Sequence, residues 1–128
     1  MFGEINAYVT GDIDPGLFVI TGKLMNSTSM DEAEKAIDME LQQIIRGNIS
    51  DYEIEKVKNK FESVYQFSQL NALNKAMSLS YFELLGDADL INHEIEKYRS
   101  ISKEEIKQLA SKLFKLENSS TLYYLSKK

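Results

Sequence analysis

The chain has 128 residues, 43% hydrophobic and 27% charged, enough apolar material for a one-domain core. Its 20 acidic residues outweigh 15 basic ones, which excludes the clustered cationic surface that a nucleic acid requires. It has no cysteine, and its aliphatic or aromatic runs, Leu17 to Ile20 among them, are far too short to cross a membrane. No targeting segment is legible at the N-terminus, so the compartment stays open between cytoplasm and periplasm.

Residues 4–10 and 17–24 read as a hairpin-like strand pair. The stretch GDIDPGLFVITGKL contains the only proline, Pro15, in a turn with Gly16, followed by a short apolar run. Asp12 and Asp14 flank Ile13 there. A calcium loop would need further oxygen ligands, so a turn is the better reading.

Helices should then fill residues 30–115. Three starts are written as capping boxes, Ser29 with Glu32, Ser50 with Glu53 and Ser102 with Glu105. In each, the serine oxygen accepts from an otherwise orphan backbone N–H while the glutamate reaches back to the cap residue. Ile49 with Ile54 and Ile101 with Ile106 are placed as hydrophobic staples. The first helix carries Ala33, Ile37, Leu41 and Ile44 on one stripe and ends at Gly47-Asn48. The second carries Ile54, Val57, Phe61, Val64 and Phe67 or Ser68, with Glu55–Lys58 and Glu53–Lys56 placed for weak ion pairs on its solvated face. Around residues 68–71 the stripe changes phase, which predicts a kink or break. A third stripe, Leu70, Leu73, Met77, Tyr81 and Leu84, ends at Gly86-Asp87. Leu90, Ile91, Ile95 and Tyr98 make a fourth helix, and Ile106, Leu109, Ala110 and Leu113 a fifth. The aromatic-rich residues 120–126 favour a final strand able to join the first two. The fold class is α+β, with helices on one face of a small antiparallel sheet in the order β-β-α-α-α-α-α-β. Three strands are few for five helices, and such a sheet has exposed edges.

No catalytic constellation emerges from these residues. His93 is the only histidine, with Glu96 one turn away, whereas a catalytic zinc needs three protein ligands. A solvated surface histidine is the expected reading. The serines stand in no nucleophile elbow, and neither glycine-rich phosphate motif is present. Catalytic and metal residues are therefore expected to be absent.

The ordered whole does resemble a family. A Pro-Gly-Leu-Phe-Val-Ile strand precedes MDEAEKAIDMELQQIIRG, ISDYEIEKVKNKFESV, NALNKAMSLSYFELLGD and ISKEEIKQLASKLFK, then a final strand. This order resembles the latter part of one half of the pitrilysin/insulinase-type zinc peptidases, over about Tyr8 to Leu125. The resemblance implies paired α+β halves that enclose a polypeptide, one half holding zinc through H-x-x-E-H. With one histidine that motif cannot be written in this sequence. The resemblance thus implies a single domain over 1–128 that is a fragment of an inactive, C-terminal half, itself without cofactor. Its expected partners are an active zinc-bearing half or subunit and a polypeptide substrate, with no nucleic acid and no membrane. Self-association through the sheet edge is a further expectation.

Inactive halves in this family supply an Arg and a Tyr near the zinc. Arg46 and Arg99 sit near helix ends, where the helix dipole accounts for them. Tyr8 and Lys23 on the strands are better candidates for touching peptide. Leu17 and Val19 continue the more aliphatic side and are assigned to the core, leaving Phe18, Ile20 and Lys23 toward the peptide. The rival reading, from another class, is a free-standing protein-interaction module unrelated to proteolysis.

Overall fold

The computed structural model describes residues 1–11 and 13–125. Two strands, β1 (Phe2–Val9) and β2 (Phe18–Leu24), are followed by α1 (Met30–Arg46), α2 (Asp51–Ser68), α3 (Ala72–Leu84), α4 (Leu90–Ser100) and α5 (Lys103–Leu113). A short 3-10 turn follows at Leu116–Asn118. The class is α+β, and the two strands and five helices follow the expected order. The chain divides into two compact units, residues 1–42 with 116–128 and residues 43–115.

In the first unit β1 and β2 pair antiparallel. Thr10 donates its N–H to the Leu17 carbonyl at 3.0 Å, and its Oγ1 accepts from the Leu17 N–H at 2.9 Å, closing the ladder at the loop end. The Asp12–Asp14 acid pair is not assessed, because Asp12 lies outside the described residues. The final strand is corrected in its described part. Residues 121–125 have no regular secondary structure and the sheet has two strands, while residue 126 lies outside the described residues. The Thr121 and Tyr123 hydroxyls go instead to α1.

The helix boundaries follow local chemistry. All three boxes form, with the Ser29, Ser50 and Ser102 hydroxyls accepting from the N–H of Glu32, Glu53 and Glu105 at 3.3, 3.2 and 3.3 Å. Each glutamate in return accepts the backbone N–H of its serine, at 3.0, 2.8 and 2.7 Å. These bonds hold all three carboxyls below the usual glutamate range, chiefly through the serine backbone N–H for Glu32 and Glu53 and the serine hydroxyl for Glu105. Gly47 and Gly86 have φ of 76° and 110°, the left-handed region where a side chain is strained. Both close Schellman motifs: Gly47 N–H donates to Ile44 and Asn48 N–H to Gln43, and Gly86 and Asp87 donate to Glu83 and Phe82 in the same pattern. The expected break is at Gln69–Asn71. Asn71 caps α3 by accepting from the N–H groups of Leu73 and Asn74 at 2.9 and 3.2 Å.

In the second unit α2 and α3 both pack on α4. The α2–α4 seam is aromatic and ionic: the Phe61 ring stacks on Tyr98 with centroids 3.4 Å apart, and Tyr65 Oη donates to the Ile91 carbonyl at 2.6 Å. Burial raises the Tyr65 phenol pKa, and Glu94 pushes the same way. Ile91 and Ala110 are the buried apolar residues of this unit, and Ala33 that of the first.

Two expected stripes are corrected. On α2 the half-buried positions are Ile54, Lys58, Phe61, Glu62, Tyr65 and Ser68, whereas Val57, Val64 and Phe67 are exposed. The apolar stripe is wider than the face the aromatic seam covers, and its valine side is left to solvent. On α3 the stripe Leu70, Leu73, Met77, Tyr81 and Leu84 is exposed throughout, and Ser78 and Phe82 are the half-buried positions. Apolar residues lie nearly all round this helix, so spacing alone does not choose its packed side.

Because Ile91 is the largest buried side chain of the second unit, Ile91→Ala is expected to lower unfolding free energy by about 2–4 kcal/mol. Leu84→Ala, 69% exposed, should change it by less than about 0.5 kcal/mol. Urea titrations followed by circular dichroism measure both.

Candidate functional site

Strand alternation decides what the hairpin can present. Directly opposed residues share a face. The register Val9–Phe18, Ala7–Ile20, Ile5–Gly22 and Phe2–Leu24 makes one face wholly apolar. Tyr8–Val19, Asn6–Thr21 and Glu4–Lys23 make the other, which is mostly polar. The ladder is irregular between Phe2 and Glu4, and this extra residue turns Phe2 onto the apolar face. Its ring lies over Gly22, where an added Cβ would come within 2.8 Å of Phe2 Cε1. Gly22 is thus the floor on which Phe2 rests.

The four candidate residues are therefore not brought together. Phe18 and Ile20 share the apolar face, while Tyr8 and Lys23 share the polar one. Grouping Lys23 with Phe18 and Ile20 is corrected, because positions of opposite parity in one strand cannot share a face. Leu17 lies before β2 and is 70% exposed, so it is no core residue of this unit. Val19 and Ile20 are both half-buried, which removes the expected contrast between them.

The sequence reading missed two polar clusters. Arg99, attributed to the helix dipole, lies near the end of α4 but spans to α2: its Nε donates to Glu62 at 2.9 Å, Nη1 to Glu55 at 3.3 Å and Nη2 to Asn59 at 2.7 Å. Nη2 also makes a short contact to the same Glu62 oxygen, Oε2. Lys58 Nζ donates to the Arg99 carbonyl at 2.9 Å and pairs with Glu55 at 3.8 Å. Arg99, Asn59 and Glu62 line a shallow polar depression together with Ser63 and Gln66. The i, i+4, i+7 spacing of Glu55, Asn59 and Glu62 on one face was the available signal for a cationic partner.

The second cluster joins α1 to the C-terminal segment. Thr121 Oγ1 and Tyr123 Oη donate to the two oxygens of Glu34 at 3.0 and 2.5 Å. The Tyr123 bond, then the Thr121 bond, holds the Glu34 carboxyl below the usual range, and the Glu34 bond raises the Tyr123 phenol. Nothing in the sequence spacing pointed to contacts between residues 87 and 89 positions apart.

His93 lies on the exposed surface of α4, 3.4 Å from Asp89 and 3.5 Å from Glu96. Bonds from Asn92 and then His93 lower the Asp89 pKa. Among the described residues no group of three or more His, Cys, Asp or Glu side chains is placed to hold a metal. The chain's own donors therefore do not fit a peptidase zinc site.

No family model and no curated protein matches the chain. Among solved structures, the chain is similar to the inactive peptidase domain of a candidate zinc protease from Bordetella parapertussis. The two are 18% identical with a TM-score of 0.73, over 84% of this chain and 58% of the neighbour. The two chains share a fold, and this one spans little more than half of the neighbour's length.

The face assignment generates a direct test. Ile20→Asp, which places a charge on the apolar face, is expected to destabilise the chain by about 1–3 kcal/mol, and Thr21→Asp by about 0.5 or less. Chemical denaturation gives the order, and a larger loss for Thr21→Asp would reverse the faces.

Proposed function

We propose that the chain is a non-catalytic half-domain of a pitrilysin-like zinc peptidase, forming wall and polypeptide-contact surface beside an active zinc-bearing half. The observation that carries this reading is the fold shared with an inactive peptidase domain. The donor set agrees with it, since a chain with one histidine and no cysteine supplies too few ligands for a catalytic zinc. Zinc, and with it the activation of water for peptide hydrolysis, would reside in the active half, in the same polypeptide or in a separate subunit.

The hairpin supplies the means of contact. Among the described residues β1 and β2 pair with each other, and the outer side of β1 offers N–H and C=O groups that a polypeptide can extend as an added strand. Side chains of an added strand would meet the two faces alternately. Tyr8 and Lys23 on the polar face would give a hydrogen-bonding phenol and a cation, while Phe18 and Ile20 would give apolar contact on the other. The same edge admits a second copy of the chain, an association that competes with substrate.

In the test, the isotope-labelled chain is titrated with reduced, carboxymethylated lactalbumin, an unfolded acidic polypeptide. Amide shifts are expected along β1 and β2, and Lys23→Glu should weaken binding by about three- to tenfold. Shifts confined to the helices would favour an interaction module of another kind. Metal analysis of untagged protein should give well under one zinc per chain, and one tightly held zinc would overturn the non-catalytic assignment.

A further inference from the structure

The described part of the C-terminal segment is held by side-chain hydrogen bonds. Among the described residues its stretch 120–125 makes no backbone hydrogen bond. Thr121 and Tyr123, two residues apart, instead both engage Glu34 on α1, while Leu122 and Tyr124 between and beyond them are each 91% exposed. That alternation is the geometry of an extended strap laid on a helix by one edge. All three residues belong to the same compact unit.

We propose that Glu34 is the catch of a releasable C-terminal strap, with Thr121 and Tyr123 as its two hooks. A segment woven into a sheet leaves only by breaking many backbone bonds. Release of this one requires the loss of two side-chain bonds to a single carboxylate. Both hooks are donors and the catch is an acceptor, so the fastening needs Glu34 ionised and Tyr123 protonated. Asp31, one turn earlier on α1, acts on the Tyr123 phenol in the same direction as Glu34.

The sign of the pH dependence follows. The Glu34 pKa is depressed when the strap is fastened, so its contribution is present above the ordinary glutamate pKa and is lost as pH falls through the depressed value. The Tyr123 pKa is raised, so its contribution is present below the ordinary tyrosine pKa and is lost as pH rises through the raised value. The strap is therefore fastened across the neutral range and opens at both extremes.

Heteronuclear 15N relaxation of the full chain tests this, with the amides of α1 as an internal control for folding. In the unmodified chain at neutral pH residues 121–125 should relax nearly as rigidly as α1. Tyr123→Phe and Thr121→Val remove one hook each without altering charge, and the double variant should raise the open population of the strap about tenfold or more while α1 stays rigid. Acidification should free the strap of the unmodified chain and leave the already open double variant unchanged. Should 121–125 stay as rigid in the double variant as in the unmodified chain, the catch is not what holds the strap. Equal mobility of the segment in both proteins at neutral pH would equally overturn the proposal.

Discussion

The second unit depends on the seam between α2 and α4. With only two residues buried there, neither of them large, the unit lacks the oily centre that ordinarily holds helices together. Directional contacts take that place. A tyrosine ring lies flat on a phenylalanine, a phenol reaches a main-chain carbonyl, and one guanidinium spans two carboxylates and an amide. These contacts fix the rotation of α4 about its axis, because ring stacking and the hydrogen bonds of a planar guanidinium both have narrow geometry. That rotation carries Ile91 inward and leaves Asp89, His93 and Glu96 on the solvent side. The sole imidazole thus lies on the side of α4 that faces water.

The first unit is governed by a different constraint, the two-residue period of a strand. Once Val9 is set against Phe18, every later side chain of the hairpin has its face assigned. The single irregularity at the start of β1 then brings an aromatic ring onto a glycine, completing an apolar face from both strands. The hairpin thus has one apolar and one polar face, and among the described residues no third strand joins it.

Local chemistry was legible from the sequence alone. Three Ser-x-x-Glu boxes, two glycine terminators and the Asn71 break are short-range features whose hydrogen bonds close within six residues, so their outcome needs no knowledge of the rest of the chain. The count and order of the helices follow from them, and the single histidine excludes a histidine-rich metal site. What the tertiary structure alone decided was direction. Spacing shows that α2 and α3 have apolar stripes, but only packing on α4 selects Phe61 and Tyr65 over Val57 and Val64, or Phe82 over Met77. Arg99 and Glu34 show the same division: each is an ordinary charged residue on its own helix, and each finds its partners more than thirty positions away. The final segment departs furthest from expectation, for strand propensity describes a willingness to pair, whereas Thr121 and Tyr123 have their hydroxyls engaged by a helix, and an extended chain without an edge beside it is not a strand.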